Sequence, residues 1–140
     1  MRHVVFRVEK ERYALPLSSV REVVAPPQSF SVVPRAPRAV KGVMNLRGRV
    51  VTVVELARLL GMGEELQPGQ KVVLLDRGRR DLGLLVTDVE GIESIERLTP
   101  APGQQLSAVK GLARLKGQAV TVMDPDGVDA AVLALFTPNR

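Results

Sequence analysis

Ala39–Leu56, with the sequence AVKGVMNLRGRVVTVVEL, returns later in the chain as Ala108–Asp124, with the sequence AVKGLARLKGQAVTVMD. Laid over each other without a gap, the two copies share both glycines, a basic residue before the second glycine and a Val-Thr-Val run. Two copies of a long unit indicate a duplicated domain, because a solenoid needs at least three short units. The sequence therefore predicts two similar halves, each with a Gly-containing bend followed by a strand.

The remainder of the repeat defines the predicted domain organisation. Val4-Val5-Phe6 aligns with Val72-Val73-Leu74, and after a one-residue gap Leu15–Val20 faces Leu84–Val89. Residues 67–70, Gln-Pro-Gly-Gln, form the clearest linker in the chain. We predict a single domain over residues 1–140, with a first repeat of about 1–68 and a second of about 69–140. Strands can be exchanged between two such lobes.

The composition favours β structure. Of 140 residues, 45% are apolar, yet the only aromatic residues are three Phe and one Tyr, so the core must be aliphatic and rich in Val and Leu. Val suits the half-buried surface of a pleated sheet. Many short strands with Gly- and Pro-rich connections are typical of all-β barrels. We predict an all-β fold with short helices, in which two small barrels pack around a shared apolar seam.

Short helices and one hairpin tip complete the predicted elements. Leu17–Val24 can begin a helix, with Ser18 or Ser19 as its N-cap. A second short helix is expected over Glu55–Leu60, stopped by Gly61, and a third after the Asp124-Pro125 pair, where Asp can cap the first turn. The Arg-rich run at 77–81 is expected to be a solvated hairpin tip.

The chain lacks the residues of common catalytic and metal sites. His3 is its single histidine and it has no cysteine, which excludes a disulfide framework, a Cys-His pair and a transition-metal site of the usual ligands. Gly42–Gly48 is not a phosphate loop, since Arg49-Val50 stands where Lys-Ser/Thr must follow. We expect no cofactor and no enzyme activity, although carboxylate acid/base chemistry at an unrecognised site stays open.

The charge and the start of the chain bear on partners and location. The net charge of +5 leaves a nucleic-acid-binding barrel as the alternative function, but the basic residues are scattered and few aromatic side chains are present to stack on bases. Met1-Arg2-His3 leads directly into a short strand without a signal peptide, and no apolar run is long enough to span a membrane. A cytoplasmic protein without membrane insertion is the simplest expectation.

One segment carries a family resemblance. Gly42–Val51, GVMNLRGRVV, closely resembles the signature of the CheW-like adaptor family of bacterial chemotaxis, a Gly-Val-x-Asn-Leu-Arg-Gly run before a Val-rich strand. Shorter pieces resemble other family segments in the right order, and together they cover Val4 to about Leu135: Val20–Val23, Val33–Pro37, Leu82–Val86 and Ala108–Gly111.

The resemblance implies a fold of two five-stranded SH3-like barrels and a non-enzymatic scaffold. Family members link the cytoplasmic signalling tip of methyl-accepting chemoreceptors to the regulatory domain of the CheA-type histidine kinase, in receptor arrays at the membrane. Carried over by position, the residues associated with receptor or kinase coupling are Val20, Glu22, Gly42, Arg47, Gly83, Val89 and Gly111.

Several of these positions also have a structural interpretation. The three glycines can be fold residues whose replacement disturbs binding indirectly, and Val20 and Val89 can line a groove or pack in the core. Arg47 aligns with Lys116 in the repeat, so the duplication alone does not require an arginine at this position. We expect Glu22 to orient the Arg47 side chain by an ion pair.

Two departures from the family pattern favour a specialised paralogue. Thr52–Leu56 replaces a Pro-x-x-Asp-Leu run, and Val86-Thr87 replaces Val-Asp, with the acid one place later at Asp88.

Overall fold

The structure, a computed structural model, describes residues 1–62, 68–77, 80–101 and 108–136. The described residues form ten strands, two α-helices and one 3₁₀ turn, Leu17–Ser19. The strands of the first half are β1 Arg2–Val8, β2 Glu11–Pro16, β3 Val20–Val24, β4 Val40–Leu46 and β5 Arg49–Glu55. Those of the second half are β6 Lys71–Arg77, β7 Arg80–Val86, β8 Asp88–Ser94, β9 Val109–Leu115 and β10 Gln118–Met123. Helix α1 is Leu56–Leu59 and helix α2 is Pro125–Leu135.

The strands form two five-stranded sheets, each curved into an SH3-like barrel. The first barrel has the strand order β8-β1-β2-β10-β9 and the second has the order β3-β6-β7-β5-β4. Each barrel combines two strands from one half of the chain with three from the other. The contacts between β2 and β10 and between β5 and β7 are parallel, while the other pairs are antiparallel. The all-β architecture of two barrels is confirmed.

The two halves of the chain repeat each other residue by residue. Gly42 pairs with Val53 between β4 and β5, and Gly111 pairs with Val122 between β9 and β10. The shift in residue number that relates Gly42 to Gly111 also relates every strand pair of one barrel to the equivalent pair of the other, including the bulges. The alignment of Val4-Val5-Phe6 with Val72-Val73-Leu74 is wrong by one place, since Val5 pairs with Ala14 as Leu74 pairs with Gly83. Runs of Val tolerate such a shift in a sequence comparison, whereas strand register does not.

The helix expected over Leu17–Val24 is wrong. Only Leu17–Ser19 turns, and Val20–Val24 is a strand paired with β6. Neither predicted serine caps a helix: Ser19 is buried and its hydroxyl donates to the Pro16 carbonyl at 2.7 Å. Three β-branched valines in this segment prefer the pleated conformation, and pairing with β6 outweighs the local capping pattern.

The apolar seam between the barrels is the largest core cluster. It joins Phe6, Leu15 and Met123 of the first barrel to Val54 and Leu84 of the second, and none of these side chains is accessible to solvent. Each such residue contributes about 1.5–3 kcal/mol on full burial. Smaller clusters fill each barrel separately. The seam therefore fixes the relative position of the two barrels.

The two helices follow the equivalent strands β5 and β10. Asp124 caps α2 by accepting from the backbone N–H of Asp126 at 3.4 Å, as expected from sequence, and Val128 and Val132 face the seam. Helix α1 is a single turn, shorter than predicted, that ends at Leu59 with Leu60 as its C-cap. Gly61 follows the cap with a φ of +75°, which is accessible to glycine. Glu55 does not cap α1, because its carboxylate pairs with Arg58 at 2.7 Å instead.

Thr87 ties the barrels together at the junction of β7 and β8. Its buried hydroxyl accepts from the backbone N–H of Glu9 at 2.8 Å, and its own N–H donates to the Arg7 carbonyl at 2.9 Å. Both bonds join the β7–β8 junction to the start of the β1–β2 turn. A hydroxyl at this place provides the acceptor that the turn needs without burying a charge.

Candidate functional site

The turn between β4 and β5 presents Arg47 to solvent. Arg47 has φ of +50° and Gly48 has φ of +84°, the two positive values of a type I′ turn. The side-chain oxygen of Asn45 accepts from the Gly48 N–H at 2.9 Å and fixes the turn. The Asn-Leu-Arg-Gly run thus supplies a hairpin turn with an arginine at its tip, and the Arg47 side chain is 67% exposed.

Glu22 reaches this turn from the neighbouring edge of the barrel. It lies on β3, and its carboxylate forms an ion pair and a hydrogen bond with the Arg47 guanidinium. The expected ion pair between the two residues is present. All seven predicted site residues lie within the described ranges. Among them, only Glu22 and Arg47 are joined by a side-chain hydrogen bond.

A second group of charges, which the sequence did not reveal, lies beside this pair. Asp81, at the start of β7, forms ion pairs with Arg49 at 2.8 Å and with Arg21 at 3.3 Å, and its side chain is only 17% exposed. Arg21 also approaches Asp76 at 3.7 Å. The expectation of a solvated tip at 77–81 is therefore wrong for Asp81, while Gly78 and Arg79 lie outside the described residues. One signal was available: an isolated acid within an Arg-rich run suggests a paired charge.

Arg21 owes its direction to a bulge. The β3–β6 register shifts between Val20 and Glu22, so Arg21 is the extra residue of the edge strand. Bulges re-aim side chains near functional surfaces. Here the bulge lets a residue on β3 reach β7 across the intervening strand β6.

The two charge groups enclose a pocket of about 210 Å³, which we name the Arg49 pocket. Its apolar lining is Leu46, Val51, Leu74, Leu75 and Leu82, and its charged lining is Arg21, Glu22, Arg47, Arg49 and Asp81. Arginine offers five N–H donors in a planar fork, and the ion pairs leave some of them for a partner. An apolar floor with a charged rim is suited to binding a protein side chain.

The three glycines of the predicted site have close neighbours. A Cβ on Gly42 would lie 2.5 Å from the Ser31 carbonyl oxygen, and one on Gly111 would lie 2.8 Å from that of Thr99. At Gly83 a Cβ would meet the Val72 side chain at 2.6 Å. These contacts are all with the protein's own chain, so a methyl group at any of the three positions disturbs the fold first.

Val20 and Val89 occupy equivalent places in the two barrels. Val20 pairs with Leu75 at the start of β3, and Val89 pairs with Phe6 on β8. Both are half-buried and pack against the seam. Their partial exposure is compatible with lining a groove, and their contacts with the seam are compatible with a role in core packing.

The described ranges contain no group of three or more acidic, His or Cys side chains placed to hold a metal. Among the same residues, no helix is both long and apolar enough to cross a membrane.

Comparison with known proteins agrees with the two-barrel architecture. The family model of the CheW-like domain matches residues 2–131. The chain is 28% identical over 127 residues to the chemotaxis protein CheW of Thermotoga maritima, covering 88% of this chain and 83% of that protein. It is 27% identical over 132 residues to the CheW of Rhizobium meliloti, covering 89% and 84% of the two chains.

A solved structure is similar as well. The crystal structure of the scaffolding protein TtCheW from Thermoanaerobacter tengcongensis superposes with a TM-score of 0.77 at 25% identity, covering 88% of each chain. The fold is thus a pair of SH3-like barrels joined by an apolar seam. The chain belongs to the CheW-like domain family.

Proposed function

We propose that this protein is a non-enzymatic scaffold that couples chemoreceptors to a CheA-type histidine kinase in bacterial chemosensory signalling. The observation that carries the proposal is the CheW-like match over residues 2–131, nearly the whole chain. Its matched relatives are named chemotaxis proteins, and the similar solved structure is named a scaffolding protein. These names favour the adaptor over the nucleic-acid-binding alternative.

The proposed partners are the cytoplasmic tip of a methyl-accepting chemoreceptor and the regulatory domain of the kinase. The proposed contact residues are Val20, Glu22, Arg47 and Val89, with Gly42, Gly83 and Gly111 holding the backbone that carries them. The exposed Glu22–Arg47 pair beside the Arg49 pocket supports this assignment, because a surface ion pair adds little to stability but can direct a partner.

The place of action that we propose is the cytoplasm, at receptor arrays on the membrane. The departures at Thr52–Leu56 and Val86-Thr87 support a specialised paralogue, and both are accommodated within the fold: Glu55 pairs with Arg58, and Thr87 holds the β1–β2 turn.

Substitution of the seam-flanking valines tests the receptor contact. Val20→Asp or Val89→Asp introduces a charge at a half-buried site, and receptor binding should be lost. Both side chains also pack against the seam, so each variant should unfold at a lower temperature, and titrations belong well below that temperature. Calorimetric titration with a receptor-tip fragment measures the affinity, with circular dichroism as the folding control. Unchanged affinity in both folded variants would remove these positions from the receptor contact.

A further inference from the structure

The duplication gives the Arg49 pocket a counterpart in the first barrel. A pocket of about 240 Å³, which we name the Gln118 pocket, is lined by Val5, Arg12, Glu90, Gly91, Glu93, Leu115, Lys116 and Gln118. By strand register, Leu115 stands where Leu46 stands, and Gln118 where Arg49 stands. Both pockets lie beside a bulge on an edge strand, at Glu90 in the first barrel and at Arg21 in the second.

The ion pair that spans each pocket has the opposite polarity in the two barrels. In the Arg49 pocket the bulge residue on β3 is the cation, Arg21, and its ion-pair partner is Asp81 on β7, at 3.3 Å. In the Gln118 pocket the bulge residue is the anion, Glu90, and its partner is Arg12, at 2.5 Å with a second bond of 3.3 Å. The geometry is conserved between the halves while the charges are exchanged.

The exchange changes what each pocket presents to a partner. In the Arg49 pocket the arginines lie outermost, with Arg49 55% exposed against 17% for Asp81. In the Gln118 pocket a neutral amide replaces Arg49, and Glu90 is as exposed as Arg12. Glu93 adds a further carboxylate to that lining. The Arg49 pocket thus has three arginines and two carboxylates in its lining, whereas the Gln118 pocket has two cations, Arg12 and Lys116, and two carboxylates. An approaching carboxylate is therefore attracted more strongly at the Arg49 pocket.

We propose that the Arg49 pocket receives a partner segment carrying one large apolar side chain next to a carboxylate, and that the additional arginine of its lining makes this segment prefer it to the Gln118 pocket. The apolar side chain rests on the floor formed by Leu46, Val51 and Leu82, as anchor residues do in interface pockets. The carboxylate binds the outward N–H groups of Arg49 and Arg47, whose forks suit it. The inference rests on the proposed adaptor function only in that the segment belongs to one of its protein partners.

Two blocked dipeptides test the chemistry without any protein partner. N-acetyl-Glu-Leu-amide and its uncharged match N-acetyl-Gln-Leu-amide are titrated into methyl-labelled protein and followed by NMR. We expect shifts at Leu46, Val51 and Leu82 with the Glu peptide, about two- to fivefold weaker binding of the Gln peptide, and smaller shifts at Leu115 and Val120. Equal binding of the two peptides, equal shifts in both pockets, or no shifts at the highest soluble concentration would overturn the proposal.

Polarity swaps in the two barrels provide matched variants. Arg21→Asp with Asp81→Arg, and Arg12→Glu with Glu90→Arg, each keep the net charge and an ion pair. The swap in the second barrel puts a carboxylate in place of the more exposed cation, Arg21, and should weaken binding of the Glu peptide. The swap in the first barrel should leave the dissociation constant unchanged. If the second-barrel swap fails to fold, Arg49→Gln with Gln118→Arg as its match makes the same comparison. Equal effects in the two barrels would contradict the assignment.

Titration of the unaltered protein with a receptor-tip fragment and with a kinase regulatory domain separates the two proposals. If neither binds, the adaptor function fails whatever the peptides do. If either binds but the Arg49 pocket variants leave both affinities unchanged, the adaptor function stands and the pocket assignment fails.

Discussion

Glu22 and Arg47 form an ion pair between an edge strand and a hairpin tip of the same barrel, at the rim of the Arg49 pocket. Arg47 is largely exposed, so water screens the pair. Exposed pairs of this kind contribute about 0–1 kcal/mol to stability. Their main effect is to hold two charged groups in a fixed arrangement that a partner can recognise.

Replacement of Arg47 should affect binding much more than stability. Arg47→Ala is expected to leave the melting temperature almost unchanged, because the ion pair is exposed, and to weaken binding of at least one partner. Lys116→Ala, at the equivalent turn of the first barrel, is the matched control and should change neither quantity. Thermal denaturation and calorimetric titration measure the two effects. A large fall in melting temperature would identify Arg47 as a structural residue.

Gly42 and Gly111 should be sensitive for partly different reasons. Gly42→Ala combines a clash with the Ser31 carbonyl and a φ of +149°, while Gly111→Ala meets only the clash with Thr99. Backbone strain of this type costs about 1–3 kcal/mol. We expect Gly42→Ala to lower the free energy of unfolding more than Gly111→Ala does, as measured by urea denaturation.

Gly91 is the control for backbone strain alone. It has φ of +144°, and a Cβ there would meet no neighbour within 4 Å. Gly91→Ala should therefore be less destabilising than Gly42→Ala. If the two variants have equal stability, the close approach of the Ser31 carbonyl does not contribute to the destabilisation by Gly42→Ala.

Gly83 is predicted to be a packing position. A Cβ would lie 2.6 Å from Val72 and 3.2 Å from Leu74, both side-chain atoms, and overpacking of this kind costs about 1–3 kcal/mol. Adding Val72→Ala should recover part of the loss, because it removes the nearer obstacle. A double-mutant cycle on the free energy of unfolding measures this coupling. Strict additivity of the two substitutions would show that Gly83 is required for another reason.

Stability should decrease as the pH falls from 7 to 5.5, in part through His3. Burial lowers the pKa of His3 below its usual 6.5, so the unfolded chain binds a proton there more readily than the folded protein. The stabilisation is therefore present above the unfolded pKa and is lost as the pH falls below it. Denaturant titrations of His3→Gln should show a smaller pH dependence in this interval. An identical slope in both proteins would mean that His3 does not contribute.

The sequence predicted most of the fold because the residues repeated in the two halves have strong conformational preferences. Gly48 and Gly117 mark equivalent turns, and the Val-rich runs after them are the strands β5 and β10. The prediction failed at Val20–Val24, where a capping pattern competes with strand pairing that depends on β6, far along the chain. The boundaries of the repeats at 1–68 and 69–140 stay a prediction.

The candidate site was predictable only in part. Glu22 and Arg47 were paired from the family resemblance, and the structure joins them. Arg21, Arg49 and Asp81 were missed because their association requires a bulge and a strand crossing that no local pattern encodes. The reversed polarity of the Arg12–Glu90 ion pair in the Gln118 pocket became visible only after the strand registers of the two halves could be compared.

We propose that this protein couples a receptor to a kinase. Sedimentation of receptor-tip assemblies with the kinase regulatory domain, with and without this protein, tests it most directly. We predict that the regulatory domain sediments with the receptor assemblies in increasing amounts as this protein is added, and that Arg47→Ala reduces the amount recovered. Recovery of the regulatory domain that is independent of this protein would contradict the account.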